Sequence, residues 1–455
     1  MLSMVNKAND FLWNVLLIVV LCGTGIFFTI RLKFIQIRKF GEGCKLVFGH
    51  MSLKGNRSGK GEMTPFQSLA TAIAAQVGTG NLAGAATALL GGGPGAIFWM
   101  WVSAFFGMAT IYAEASLAQQ YKTVMDGEVT GGPIYYIKAV FKGRGGKILA
   151  GIFALLVILA LGFMGNMVQS NSIGDAFSKV FEARNISISP VIIGIVLAVF
   201  AGFIFIGGTS RLAAVVEKIV PFMAGIYIIG SLILIFSNIS QIPVAFRMIF
   251  VGAFHPKAVL GAGAGIAVRE ALRFGVARGL FSNEAGMGST PHAHARATAK
   301  NPHEQGLTAM ISVFIDTFII LNLTVFSILT SGVLDSGESG VALTQAAFLA
   351  GFGSVGDIFV AVCLLFFAFS TILGWHFFGE INAKYLFGKQ GAKLYSLLVL
   401  AFIITGSALK VDLVWSLADF FNGLMVLPNA LALLALSGTV AGICKKFSMK
   451  AGPRL

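Results

Sequence analysis

Charged side chains are scarce in this chain, because Asp, Glu, Lys and Arg make up only 11% of its 455 residues. Hydrophobic residues make up 56%, and the mean hydropathy is +0.84. Soluble globular domains carry about 25% charged residues, so this scarcity excludes that class of protein. The composition predicts an all-α, multi-pass membrane protein with the lipid bilayer as a partner.

Cysteine is also rare, and the four cysteines are scattered without the spacing of metal ligands. No cleavage site follows the apolar stretch "FLWNVLLIVVLCGTGIFFTI", so we interpret it as a retained span rather than a signal peptide. The net charge of +14 raises nucleic acid as a partner, but no nucleic-acid-binding module is present. We expect the basic excess in loops that face the cytoplasm.

Apolar runs long enough to cross a bilayer occur at eleven places. They lie near residues 11–31, 66–91, 96–121, 147–170, 190–207, 212–236, 258–290, 305–331, 353–380, 392–409 and 412–443. The arginines in the seventh run and a Trp-His pair in the ninth make these two the weakest.

Basic residues set the orientation, because loops rich in Lys and Arg stay in the cytoplasm. The loop after the first span is strongly basic, and its basic residues are Arg31, Lys33, Arg38, Lys39, Lys45, Lys54, Arg57 and Lys60. The other basic clusters then fall on the same side: Lys138/Lys142/Arg144/Lys147, Arg296/Lys300, Lys384/Lys389/Lys393 and Lys445/Lys446/Lys450/Arg454. The loop around Asp335 and Glu338 falls outside. We predict a cell-membrane protein with its amino terminus outside and its carboxyl terminus in the cytoplasm.

The second span contains a polar, glycine-rich patch, "QVGTGN", from Gln76 to Asn81. In hydrocarbon an unwound backbone is tolerated only where it lines a cavity or binds a ligand. Gly78 and Gly80 give the backbone conformational freedom, and Thr79 and Asn81 supply side-chain oxygens. Freed carbonyls before such a break suit a cation, and amides after it suit a carboxylate. Close helix packing through small residues is the alternative interpretation.

The seventh span, "GAGIAVREALRFGVARGLFSNEAGMGSTPHAHAR", is too polar to face lipid. Within it, "RFGVARG" indicates an opening beside Phe274, and we expect Phe274, Gly275 and Val276 to contribute to a substrate site there. The alternative is an ordinary helix whose arginines and glutamates pair at its cytoplasmic end.

Two glycine-interrupted helices about five spans apart are typical of an inverted-repeat transporter with a binding site near the bilayer midplane. We expect an amino-terminal span and basic loop (1–62), a first five-helix repeat (63–238) and an extracellular connection (239–257). A second repeat (258–443) and a cytoplasmic tail (444–455) follow.

Several motifs together resemble the alanine or glycine:cation symporter family, also called sodium:alanine symporters. They are "QVGTGNLAG", "GGGPGAIFWMWVSAFFGM", "TGGPIYYI", "GNMVQSNSI" and "GLFSNEAGMGSTPHAHA". The resemblance implies the LeuT-type fold, uptake of small neutral amino acids such as alanine and glycine, and coupling to Na⁺, less often to H⁺.

The resemblance also implies site residues, because "GTGN" (78–81) is similar to a "GLGN"-like run in the first broken helix of LeuT-type transporters. The amides of Thr79 and Gly80 would face the substrate carboxylate, and Asn81 would lie near a substrate-linked ion. The full set implied for Na⁺ is Ala74, Val77, Asn81, Ser370 and Thr371. The alternative for the two hydroxyls is bonding to carbonyls of their own helix.

Further candidates come from the spacing of polar and aromatic residues. In "LGFMGNMVQSN", Phe163, Asn166 and Gln169 are three apart, which predicts one helix face. Asn166 and Gln169 could receive the substrate amino group or serve helix–helix contacts. Trp375 could close the side-chain pocket together with Phe274, although packing is the common role of such residues. We expect Asp316 to be a partner at a helix end rather than an ion ligand.

Two other classes of protein compete with a carrier. An intramembrane hydrolase could use His292 and His294, but residues two apart on a helix point in different directions, so we expect no catalytic metal. A channel remains open as an alternative. The sequence therefore predicts Na⁺-coupled secondary active transport of alanine and glycine by alternating access, and leaves the oligomeric state undetermined.

Overall fold

The computed structural model describes residues 2–49, 62–255, 268–409 and 411–448. Some sequence predictions lie outside these residues: the basic side chains of Lys54, Arg57, Lys60, Lys450 and Arg454, the end of the 239–257 connection, and the beginning of the seventh span (258–267).

The first part of the described chain is helical apart from one short hairpin. Its elements are α1 (Leu2–Phe11), a π-helical turn (Leu12–Leu16), α2 (Leu17–Arg31), α3 (Ile35–Arg38), α4 (Phe40–Phe48), α5 (Pro65–Gln76), a π-helical turn (Gly80–Gly84), α6 (Ala85–Gly92), α7 (Gly95–Gln120), the antiparallel strands β1 (Thr123–Met125) and β2 (Glu128–Thr130), and α8 (Pro133–Val140).

Longer helices form the middle of the chain. They are α9 (Arg144–Val157), a π-helical segment (Ile158–Gly165), α10 (Asn166–Glu182), α11 (Pro190–Ile206), α12 (Gly208–Ser237), a 3₁₀ turn (Ile239–Gln241) and α13 (Ile242–Phe254).

The last part contains α14 (Val268–Asn283), α15 (Pro291–Arg296), α16 (Pro302–Val313), a π-helical segment (Phe314–Leu321), α17 (Asn322–Ser331), α18 (Val341–Phe352), a 3₁₀ turn (Gly353–Val355), α19 (Gly356–Ala408), α20 (Val411–Ala435) and α21 (Ser437–Ser448). Gly388, with φ 70° and ψ −168°, divides α19 into two helices.

Seven helical stretches of the described chain are long and apolar enough to cross a membrane. One of them, Val341–Ala408, contains two predicted spans because Gly388 separates them. Another predicted span is α11, which has 17 residues, and two more are interrupted helices. Together these helices account for the eleven predicted spans, although the seventh is described only from Val268 onward.

The helix that leads to the first interruption begins where the local sequence favours it. The Thr64 hydroxyl accepts a hydrogen bond from the Gln67 amide at 3.0 Å, and the Gln67 side chain accepts one from the Thr64 amide at 3.1 Å. Pro65 follows at a position where a helix needs no N–H donor. These contacts fix the residue at which α5 begins and therefore the depth within the bundle at which the helix ends.

The described members of the basic clusters that the sequence assigned to one side lie at one end of the bundle. There, Arg296 pairs with Glu128 at 2.8 Å and Lys384 pairs with Asp126 at 3.2 Å, so the hairpin contacts both α15 and α19. Ion pairs at the opposite end join Lys179 to Glu338 and Arg184 to Asp357.

Candidate functional site

The first interruption lies where the sequence predicts it. α5 ends at Gln76, Val77 is extended (φ −84°, ψ 90°), and the helical path resumes at Gly80. Gln76, Val77, Thr79 and Asn81 are each at most 1% exposed. The predicted broken second span is therefore confirmed, and its unwound backbone is buried in protein, as hydrocarbon requires.

The glycines of this interruption are needed for close approach rather than for unusual dihedral angles. A Cβ on Gly78 would collide with the Thr371 hydroxyl and lie 3.0 Å from the Gln169 side-chain oxygen. A Cβ on Gly80 would lie 3.0 Å from the Cα of Ser282. Neither glycine has a positive φ, so the expected conformational role is wrong at both positions.

Side-chain oxygens accept hydrogen bonds from the backbone amides that the interruption frees. The Gly78 amide donates to Asn81 Oδ1 at 3.0 Å, and the Thr79 amide donates to Gln169 Oε1 at 3.1 Å. Gln169 Nε2 is buried and has no hydrogen-bond partner among the described residues. The structure thus brings Thr79, Asn81 and Gln169 together, with a buried donor still available.

Carbonyls on the other side of the interruption meet one hydroxyl from α19. Thr371 Oγ1 lies 2.7 Å from Ala74 O and 3.3 Å from Val77 O. Thr371 Oγ1 also lies 3.0 Å from Phe367 O of its own helix, and the Ser370 hydroxyl donates to that same carbonyl at 2.9 Å. Of the two predicted hydroxyls, the structure brings only Thr371 to the interruption.

The second interruption does not lie where the sequence predicts it. α14 continues through Phe274 and Gly275 to Asn283, and the chain leaves helical geometry over 284–290 before α15 begins at Pro291. The predicted opening at Phe274–Gly275 is therefore wrong, while the predicted second broken helix is present about ten residues further along.

Packing explains why the predicted opening is closed. A Cβ on Gly275 would lie 2.8 Å from Trp99 Cβ and 3.0 Å from Met100 N, so this glycine lets α14 contact α7. The Phe274 ring lies over Gly91. Val276 is buried beside a small cavity that it shares with α2 and α7. The structure therefore places these three predicted substrate residues away from the first interruption.

Left-handed backbone angles and a buried carboxylate shape the second interruption. Glu284, Gly286 and Gly288 have φ values of 57°, 98° and 79°. Glu114, which is fully buried on α7, accepts from the Gly286 amide at 3.2 Å and the Gly288 amide at 2.9 Å. Asn429 of α20 donates to the same carboxylate at 2.5 Å. Side chains from two helices, α7 and α20, thus hold this loop in one conformation.

Glu284 lies inside the second interruption and is also fully buried. Its carboxylate accepts hydrogen bonds from Ser289 Oγ and from the indole N–H of Trp375. The Trp375 ring meets Phe281 edge-on, with ring centroids 5.7 Å apart, and it covers Gly165. Of the aromatic residues predicted for the site, Trp375 is the one that lies between the two interruptions.

Asp316 joins the two interrupted helices. Asn81 Nδ2 donates to Asp316 Oδ1 at 2.7 Å, and Ser282 Oγ donates to the same carboxylate at 3.0 Å. Close by, Gln76 Nε2 donates to Asn283 O at 2.8 Å. The expectation that Asp316 is a helix-end partner is wrong, because it lies within a π-helical segment and is fully buried.

The three residues predicted to share a face of the fourth span divide between two environments. Asn166 is fully buried and its Oδ1 has no partner among the described residues, whereas Nδ2 bonds to the carbonyl four residues earlier. Phe163 stacks on Phe402 at 4.4 Å, facing another helix. The π-helical segment 158–165 changes the register between Phe163 and Gln169, so Phe163 does not join the site.

The histidines that suggested a hydrolase are buried around α15. His292 Nδ1 lies 2.6 Å from Ser289 O, and His294 Nδ1 lies 2.6 Å from the Gln305 amide. Within the described parts of the chain, no group of three or more His, Cys, Asp or Glu residues is arranged to hold a metal ion. These histidines hold α15 against its neighbours.

Comparison with known protein families identifies the family of this chain. Residues 1–453 match the sodium:alanine symporter family. The chain belongs to that family.

Individual relatives match this chain along nearly its whole length. It is 43% identical over 452 residues to the sodium/alanine symporter AgcS of Methanococcus maripaludis, covering 98% of this chain and 97% of AgcS. It is 41% identical to the "Probable sodium/glutamine symporter GlnT" of Bacillus subtilis, covering 98% and 90%. The chain is therefore a membrane transporter and not an enzyme.

A solved structure gives the fold. The crystal structure of MhsT in complex with L-phenylalanine superposes with a TM-score of 0.50 at 14% identity, covering 86% of this chain and all of MhsT. At this identity the likeness establishes the shared fold alone, and that fold is the one expected from the sequence.

Proposed function

We propose that this protein carries alanine or glycine together with Na⁺ across the cell membrane by alternating access. The observation that carries the proposal is the meeting of Ala74 O, Val77 O and Thr371 Oγ1 at the unwound end of α5. These oxygens come from two helices, so a bound cation would link α5 to α19.

The chemistry of these oxygens suits Na⁺. Two main-chain carbonyls and a hydroxyl are hard, neutral ligands, which favour alkali and alkaline-earth ions over soft metals. In the present arrangement the Thr371 hydroxyl lies within hydrogen-bonding distance of both carbonyls and of Phe367 O in its own helix. When Na⁺ enters, the hydroxyl turns its lone pairs toward the ion, and the same oxygens hold it. Ser370 serves as a neighbour in this scheme rather than as a ligand.

The substrate takes the side of the interruption where amides are available. Its carboxylate replaces Gln169 Oε1 as the acceptor for the Thr79 amide and approaches Gly80. The unpartnered Oδ1 of Asn166 is a suitable acceptor for the substrate ammonium group. A second Na⁺ near the substrate would take oxygens from Asn81 and Asp316, whose buried negative charge otherwise has only neutral partners.

Aromatic side chains limit the size of the substrate. Trp375 covers Gly165, and Phe281 lies close to Gly80, where a Cβ would approach its ring to 3.3 Å. Glycine and alanine need little space beyond Cα, whereas a longer side chain would overlap this wall. The name of AgcS, a sodium/alanine symporter, supports the same choice of substrate.

The Na⁺ gradient and the membrane potential set the direction of transport, and the predicted orientation sets which face of the protein meets each side. With the basic end of the bundle in the cytoplasm, the amino terminus lies outside and the carboxyl terminus inside. Inward movement of each Na⁺ charge then gains about 2.3 kcal/mol per 100 mV of membrane potential, in addition to the Na⁺ gradient. That free energy drives accumulation of the amino acid.

Uptake of labelled alanine into proteoliposomes tests this function. We expect uptake with an inward Na⁺ gradient, and none above empty vesicles when choline replaces Na⁺ at fixed pH. A protonophore should leave the Na⁺-driven uptake in place. Unlabelled glycine should compete with labelled alanine, and glutamine should not. Uptake that persists in choline would contradict Na⁺ coupling, and competition by glutamine alone would contradict the choice of substrate.

A further inference from the structure

A groove of 610 Å³ lies where α8 ends and α9 begins. Val140, Phe141 and Leu149 line its apolar wall, Lys142 lies beside them, and Gly145 leaves one side open. The groove is at the start of the stretch Arg144–Glu182, which is long and apolar enough to span the membrane. It therefore lies at the height of the membrane surface.

An exposed apolar face continues from the groove along α9. Ile148, Ile152 and Leu155 are 57%, 48% and 46% exposed and are spaced at one or two helical turns. In a membrane span, an exposed apolar stripe of this kind contacts acyl chains. The groove thus opens directly onto the hydrocarbon side of the helix.

Lys142 lines the groove, and three more basic side chains without acidic partners lie near it in the sequence. Lys138, Lys142, Arg144 and Lys147 lie within ten residues, and none of the four makes an ion pair with a described residue. No Asp or Glu occurs between Glu128 and Asp175 in the sequence. Other basic residues at the same end are neutralised, since Arg296 pairs with Glu128 and Lys384 with Asp126.

We propose that this groove binds one anionic phospholipid, with its headgroup phosphate at Lys142 and an acyl chain along Ile148 and Ile152. The bias of basic residues toward the cytoplasm explains the side on which the lysines lie, but not an apolar groove among them. Basic pockets beside membrane-spanning helices recognise anionic headgroups. The inference does not depend on which amino acid the protein carries.

Binding of dioleoyl phosphatidylglycerol to the purified full-length protein, followed by native mass spectrometry, tests the site. We expect tighter binding of this lipid than of dioleoyl phosphatidylcholine. The substitution Lys142→Gln should weaken phosphatidylglycerol binding by about fivefold, because a basic residue near the lipid contributes about 1 kcal/mol. The matched control Lys445→Gln removes the same charge from α21 and should change binding less than about twofold.

A second variant keeps every charge and fills the groove with a larger side chain. A Cβ on Gly145 would meet nothing within 4 Å, so Gly145→Leu can fold and fills the groove. We expect it to lose phosphatidylglycerol as the lysine variant does. Gly442→Leu, on α21 and equally unobstructed, is its control and should bind normally.

Three results would overturn the proposal. The first is equal binding of the two lipids by the unaltered protein. The second is an equal loss in the α21 controls, which would mean diffuse attraction to charge. The third is displacement of phosphatidylglycerol by an equal concentration of glycerol phosphate, which would mean a site for a free anion rather than for a lipid.

Discussion

The two interruptions share a glycine-x-glycine motif but use it for different physical reasons. In the first, Gly78 and Gly80 have no positive φ and admit side chains from α19, α10 and α14. In the second, Gly286 and Gly288 have φ values of 98° and 79°, which L side chains rarely adopt. One motif therefore creates space for neighbours, and the other creates a backbone shape.

The side chains that satisfy the freed backbone groups also differ between the two interruptions. Hydroxyl and amide side chains, Thr371 and Gln169, satisfy the first, and such bonds can be exchanged for bonds to a ligand. The buried carboxylate of Glu114 satisfies the second through two backbone amides. These contacts fit the binding role proposed for the first interruption and a shape-holding role for the second.

The largest predicted effect distinguishes these two uses of glycine. Gly288→Ala places an alanine at φ 79° and a Cβ 2.9 Å from Pro133, so we expect destabilisation of about 2–5 kcal/mol from backbone strain and overlap. Gly337→Ala, at the same φ of 79° but with open space around it, should show only the backbone part. Thermal unfolding of the purified variants measures both.

Gly78→Ala completes that comparison at the first interruption. Gly78 has no positive φ, and its added Cβ would meet the side chains of Thr371 and Gln169 rather than backbone, so the variant should remain folded but lose Na⁺-dependent alanine uptake. If Gly78→Ala unfolds as readily as Gly288→Ala, the distinction between a binding and a shaping interruption is wrong.

A smaller effect should separate two of the buried carboxylates, Glu114 and Asp316. Glu114→Gln leaves a backbone N–H of the second interruption facing an NH₂ group, which should cost about 1–3 kcal/mol of stability. Asp316 accepts from the Asn81 amide and from hydroxyls, which can reverse their donor role.

Asp316→Asn should therefore keep its stability within about 1 kcal/mol while it weakens Na⁺ activation of transport. Denaturant unfolding and Na⁺ titration of uptake on both variants provide the measurement. The opposite ranking, with Asp316→Asn less stable than Glu114→Gln, would count against the assigned roles.

The sequence was sufficient for the fold and for the first interruption. Apolar runs give the spans, and "QVGTGN" combines glycines with polar side chains in a position where hydrocarbon cannot satisfy them. The second interruption carries the same signal in "GMG" (286–288), flanked by Ser, Asn and Glu. The opening was predicted at Gly275 instead, because the sequence does not distinguish a glycine that allows close packing from one that bends the chain.

The missed residues depend on long-range contacts. Asp316 is 235 residues from its partner Asn81, and Glu114 is 172 residues from Gly286, so neither pairing can be inferred from local spacing. Phe163 was misplaced for a local reason, since a π-helical segment alters the helix face that regular spacing predicts.

The cation site at the first interruption is tested most directly by the Na⁺ dependence of alanine uptake in Thr371→Val and Ser370→Ala. Valine keeps the shape of threonine and removes the hydroxyl that meets Ala74 O and Val77 O. We predict that the Na⁺ concentration for half-maximal uptake rises about tenfold or more in Thr371→Val, as expected for one lost ligand oxygen, and is unchanged in Ser370→Ala. An unchanged Na⁺ requirement in an active Thr371→Val transporter would contradict the account.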